Sequence, residues 1–193
     1  RSGMRVLAYC LMPNHWHMLL YPRDDGELTA FVRWLTHTHT MRWHAHHHTT
    51  GTGHLYQGRF KAFPVQTDAH FLTVCRYVER NALRAGLVRR AEDWRWGSLA
   101  RRRSRDPDAR TLLSDWPVDP PRGWLRIVNE PQTEEELAAL RQAVRRGSPF
   151  GTPTWTARTA FRFGLEYTLR PRGRPPRRAA SGRSSRQERA ASP

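Results

Sequence analysis

Three observations predict an α+β fold, a small antiparallel sheet with helices packed on it. Short apolar runs bounded by turn residues occur at 5–12 and 15–21. Apolar residues recur at helical spacing over 27–44 and again over 68–83. The two kinds of segment alternate within about a hundred residues, too closely for a sheet with long crossovers.

In order, 5–12 and 15–21 are rich in Val, Leu, Tyr and Met and read as one strand or two short ones. After the Asp24-Asp25-Gly26 turn, Leu28, Phe31, Val32 and Leu35 define a helix to about residue 44. A Gly/Thr loop at 49–53 leads to "HLYQGRFKAFPVQ", residues 54–66, whose alternation predicts a strand or hairpin. Asp68 is placed to cap a helix running to about residue 83, with Phe71, Leu72, Cys75 and Val78 on its buried stripe and Gly86 as its stop.

Residues 101–122, rich in Arg, Asp and Pro, read as a linker, which sets 1–100 apart as one domain. Thr133 to Glu136 matches a capping box that opens a helix to Arg146, stopped by Gly147. A second short helix is expected over 154–163, closed by Gly164. The two form a helical extension over 123–169 that could bind DNA as a helix-turn-helix-like unit. Residues 170–193, rich in Arg, Pro, Ser and Gly, cannot bury a core and read as a disordered basic tail.

Composition narrows the partner. The formal net charge is +16 and Lys61 is the only lysine, so the excess is arginine. Arginine forks onto phosphate and stacks on bases, which suggests nucleic acid. Part of the charge lies in the tail, but Arg33, Arg42, Arg59, Arg76, Arg80, Arg84, Arg89 and Arg90 lie in the body. Cys10 and Cys75 sit in apolar surroundings without metal-like spacing and read as core thiols of a reducing compartment. No apolar run approaches the ~20 residues that span a bilayer, and no signal peptide is visible, so a cytoplasmic protein is expected.

Two constellations carry chemistry. In "MPNHWHMLLY" alternate strand residues share a face, so His15 and His17 project together, about 7 Å apart at Cα. Trp16, Met18 and Leu20 project to the other side, which is expected to pack into the core. Two imidazoles so spaced suit one divalent cation, or simply hydrogen bonding at a sheet edge. In "CRYVERNALRAGLV", Tyr77 and Asn81 are i and i+4 on a helix, with Arg84 close by. Tyrosine near a cation, with an amide oxygen and an arginine for phosphate, makes a nucleophile site; a core tyrosine beside a solvated arginine face is the plainer alternative. His44, His46, His47 and His48 read as a solvated helix end.

"YCLMPNHWHMLL", "HLYQGRFKAFPV" and "CRYVERNALRAGLVRRAEDWRWGSL" together resemble the REP-associated tyrosine transposases, within the HUH single-tyrosine nucleases. The likeness in order and spacing covers 5–100, and "VNEPQTEEELAALRQAVRRGSPFG" is similar to a C-terminal extension of that family. The resemblance implies a ferredoxin-like core and a single-stranded or hairpin DNA substrate. It implies His15, His17 and Asn81 as ligands of Mg²⁺ or Mn²⁺, and Tyr77 as a nucleophile that forms a 5′-phosphotyrosine link. It makes Arg59, Lys61, Arg76 and Arg84 candidates for the DNA backbone. Two departures stand out. Asn81-Ala82 replaces the family's Asn-Pro, and alanine is expected to prolong the helix. A strand and helix that precede Arg5 in the family have no counterpart, so the domain reads as truncated, with an exposed sheet edge.

In the tail, Pro171-Arg172-Gly173-Arg174-Pro175 matches an AT-hook core, in which Arg172, Gly173 and Arg174 would follow a narrow A·T minor groove. Generic arginine–phosphate binding explains the same residues. The rival to a nuclease is thus a DNA-binding relative that does not cut. An RNA-binding ferredoxin-like sheet lacks the aromatic patterns it needs. Sequence does not choose between monomer and homodimer.

Overall fold

The computed structural model describes residues 3–170. β1 (Arg5–Leu11) and β2 (Trp16–Tyr21) form an antiparallel two-stranded sheet. Cys10 pairs with His17 and Ala8 with Leu19, and a bulge falls between Val6 and Ala8. The helices are α1 (Glu27–His47), α2 (Ala69–Glu79), α3 (Asn81–Arg84), α4 (Ser98–Arg102), α5 (Pro107–Arg110), α6 (Trp124–Asn129), α7 (Glu134–Arg146) and α8 (Pro153–Arg162). The fold is therefore of the mixed α and β class expected.

α2 lies on the sheet. The Asp68 carboxylate accepts from the His70 backbone N–H at 2.8 Å and starts the helix. Phe71, Val74, Cys75, Tyr77 and Val78 then meet Leu7, Ala8, Cys10 and Leu19 in the main core. The sheet face under α2 is thus the one that carries His17 and Leu19. This corrects the expectation that Trp16, Met18 and Leu20 face the core: they line an open groove instead. Alternation separates two sets of side chains but is silent on which set a helix will cover.

The two sheet edges differ. β1 is covered: Ser114 N–H donates to Val6 C=O at 2.9 Å, Trp116 Nε1 to Leu7 C=O at 2.8 Å, and Trp94 Nε1 to Leu11 C=O at 2.9 Å. The stretch 101–122, expected as a linker, is thereby part of the packing, with Trp116 edge-on to Phe71 at 5.6 Å. β2 pairs with β1 alone and flanks a groove of about 1010 Å³. Phe60, Phe63 and Val65 line that groove opposite Met18 and Leu20, with Trp155 and Phe163 beside them.

Residues 54–66 form no strand or hairpin, contrary to expectation; their one bridge joins Val65 to Phe150. An extended segment becomes a strand only beside a partner, and here Gln66 N–H and Pro64 C=O bond Phe150 alone. α2 ends at Glu79 and, after Arg80, α3 carries the helical path on through Ala82 to Arg84. Arg80 N–H to Arg76 C=O and Arg84 N–H to Arg80 C=O carry the helical bonding across the joint.

α7 has the capping box read from Thr133 and Glu136, and Gly147 closes it at φ +68°. Its Leu137 and Leu140 enter the main core, so it is not packed as a separate unit. Glu79 ties three helices together: Ser98 Oγ donates to one oxygen at 2.9 Å and Trp124 Nε1 to the other at 2.8 Å. Burial pushes the Glu79 carboxyl up, and these bonds and Arg102 pull it back. The expected tail and its Arg172-Gly173-Arg174 motif lie outside the described residues.

Candidate active site at the sheet and α2

The turn between the strands closes with Met12 N–H donating to His15 C=O at 2.8 Å. It leaves His15 exposed and carries His17 under α2. The Asn14 amide oxygen lies 2.7 Å from His15 Nδ1. That oxygen can only accept, so Nδ1 presents its N–H to Asn14 and Nε2 is turned away from it. The His15 and His17 rings stand edge to face, 5.0 Å between centroids.

α2 brings Tyr77 onto this pair. Its ring meets the His17 ring edge-on at 5.7 Å, and the residue is 9 % exposed. One helical turn on, Asn81 is almost fully buried, at 1 %. Arg84 reaches over both, with Cζ 5.3 Å from the Tyr77 ring centroid and Nη2 donating to Asn81 Oδ1 at 2.9 Å. The structure therefore gathers His15, His17, Tyr77, Asn81 and Arg84 into one cluster, although sixty residues of chain separate the histidines from the tyrosine.

Two buried polar atoms in the cluster have no partner, His17 Nε2 and Asn81 Nδ2. A buried imidazole nitrogen without a hydrogen bond is costly unless something else completes it. Burial, with the nearby His15 and Arg84 charges, pushes the His17 pKa down to about 4, so the ring is neutral near pH 7. A neutral, partnerless nitrogen beside a second imidazole fits a divalent cation. Asn81 fits less simply, because Arg84 already holds its oxygen. Among the described residues no three His, Cys, Asp or Glu side chains gather into a metal-binding group, so any cation here relies on the two histidines and neutral oxygen donors.

The basic residues divide. Arg59 and Lys61 are exposed in the segment 54–66, and Lys61 lines the groove beside β2. Arg84 belongs to the cluster. Arg76 does not: its Nη2 donates to Glu130 C=O at 2.8 Å and Pro131 C=O at 2.9 Å. Arg80 likewise holds Val128 and Asn129 C=O, which anchors the end of α6 to α2. The Arg76 guanidinium, expected on the DNA backbone, is thus engaged with main-chain carbonyls of residues 130–131. Asn14 is the site residue whose orienting role the sequence reading missed; its only signal is adjacency to His15.

Cys10 and Cys75 are buried free thiols, and burial pushes Cys10 up to about 11. No helix among the described residues is long and apolar enough to cross a membrane.

Residues 1–81 match the family model described as "Transposase IS200 like", a span that ends on Asn81 and includes both histidines and Tyr77. No curated protein and no solved structure matches the chain. The segment that builds this site, residues 1–81, is thus similar to the IS200-like transposase family.

Proposed function

We propose that the protein is a metal-dependent single-stranded DNA endonuclease and strand transferase of the REP-associated kind, acting at hairpin-bearing DNA through Tyr77. The observation that carries this reading is the meeting of Tyr77 with His17, whose buried Nε2 has no partner. A divalent cation, Mg²⁺ or Mn²⁺, bound by His15, His17 and Asn81 would polarise a phosphodiester oxygen and stabilise charge as it develops.

The chain's own residues supply the rest. Asn14 orients the His15 ring through Nδ1, and burial keeps His17 neutral, so its Nε2 presents a lone pair. The Tyr77 oxygen attacks phosphorus and gives up its proton to solvent. The bond from phosphorus to the 3′-oxygen of the preceding nucleotide breaks, and that oxygen leaves as a hydroxyl after taking a proton. The product is a 5′-phosphotyrosine ester, which a second 3′-hydroxyl can attack to restore the diester and free the tyrosine. Arg84, beside the tyrosine ring, is suited to the phosphate, and Arg59 and Lys61 to the flanking backbone. Arg172, Gly173 and Arg174 would add a tail contact.

The test is a labelled hairpin oligonucleotide incubated with Mn²⁺. The expected result is a denaturant-resistant protein–DNA adduct that Tyr77→Phe abolishes. A second reading, a relative that binds DNA without cutting, draws support from the hold of Arg84 on Asn81 Oδ1. Binding with no adduct in the unsubstituted protein would establish that second reading and sink the first.

A further inference from the structure

α1 is a 21-residue helix with one buried residue, Val32. Its outer side chains are not the charged, mixed-sign set of an ordinary solvated helix. Trp34 is 57 % exposed, and Met41 and Trp43 are exposed as well. From residue 28 to residue 67 the chain contains no Asp or Glu, yet it holds Arg33, Arg42, Arg59, Lys61 and seven histidines.

The aromatic groups on this arm are ordered. His39, Trp43 and His47 fall at successive i+4 positions, with ring centroids 6.0 and 4.1 Å apart. Tyr56 docks on His39, its hydroxyl 2.7 Å from Nδ1. That contact pins residues 54–56 along the helix and leaves a groove of about 620 Å³. Arg33, Trp34, His37, His54 and Tyr56 line it.

We propose that α1 and residues 54–56 form a second DNA-contact site, a groove that takes single-stranded DNA by stacking bases on Trp34 and Tyr56 while Arg33 meets the phosphate. It deepens the reading of the protein as a DNA-processing enzyme and rests on it. Trp34 is exposed and Tyr56 half-buried, and a flat ring open to solvent offers a base a π-face whatever its sequence, while a positive surface tracks the backbone. Charge argues against a second copy of the chain as occupant. A self-complementary contact would bring one basic arm against another, with no carboxylate in 28–67 to pair Arg33 and Arg42.

The experiment is fluorescence anisotropy of a labelled oligo-dT without divalent cation, which reads binding apart from cleavage. Trp34→Ala is expected to weaken binding about tenfold. Trp34→Tyr, which keeps a ring, should stay within about threefold of the parent. Arg33→Ala should reduce the salt slope by about one. Phe161→Ala, at an exposed ring on α8 outside this arm, should change nothing. Affinity unchanged in Trp34→Ala overturns the proposal, as does a concentration-dependent dimer that Trp34→Ala disperses at unchanged DNA affinity. The same preparations assayed for the Tyr77 adduct separate the two readings. An adduct with Trp34-independent binding sinks only the groove, and Trp34-dependent binding without an adduct sinks only the nuclease.

Discussion

α2 and α1 are opposite ways of using a helix. α2 has eleven residues and buries six of them, whereas α1 has twenty-one and buries one. α2 is clamped at every side: by the sheet beneath, by Asp68 at its start, by Glu79 to α4 and α6, and by Arg76 and Arg80 to residues 128–131. The difference teaches where precision is needed. On the proposed function Tyr77 is a nucleophile, which must be held within a fraction of an ångström of its partners, and its helix is correspondingly over-determined. A surface proposed to receive a flexible strand needs exposure and charge, and α1 leaves both free.

Four substitutions test that contrast. Phe71→Ala removes a ring from the core under α2 and should cost about 3–5 kcal/mol in chemical unfolding. A loss below about 1 kcal/mol would show that α2 is not clamped as described. Asp68→Ala should cost about 1 kcal/mol through the lost cap. Burial opposes the Asp68 charge, but the His70 N–H and ring outweigh it and hold the carboxyl below its usual range. The sign follows: the folded state releases this proton more readily than the unfolded, so the contribution is present above the ordinary carboxylate pKa and lost as pH falls through the lowered one. Parent and variant should therefore converge in stability on acidification.

Arg84→Ala frees Asn81 Oδ1 and removes a positive charge from the cluster. Mn²⁺ titration followed by electron paramagnetic resonance, without DNA, should show affinity a few-fold tighter; weaker binding would mean that Arg84 supports the cation site rather than competing with it. Smallest of the four is the stability effect of Trp34→Ala on α1, within about 0.5 kcal/mol, because the ring is mostly in water already. A larger loss would make Trp34 a packing residue and remove the contrast with α2.

Much of the local structure is legible in the chain. Asp68, the Thr133 and Glu136 box, and Gly147 each announce a helix end through hydrogen bonds made within a few residues. The site is legible for a similar reason. A period of two brings His15 and His17 to one side of a strand, and a period near 3.6 brings Asn81 under Tyr77, whatever the rest of the molecule does. Arg76 on α2 shows where this ends. Arg76 reads as a phosphate ligand by charge, and only the arrival of residues 130–131, more than fifty positions away, turns its guanidinium to backbone carbonyls.

By itself, then, the sequence determined what neighbours along the chain can settle: caps, periodicity, the paired imidazoles, and a tyrosine with an asparagine one turn on. Tertiary structure alone decided which strand face the helix covers. The apolar set Trp16, Met18 and Leu20 reads as the buried one, but α2 lies on the face of His17 and Leu19. It also decided that residues 54–66 form no strand, and that residues 114–116 seal the edge of β1. Each of these depends on a partner distant in sequence, and the burial of a face or the pairing of an edge is a property of two surfaces meeting.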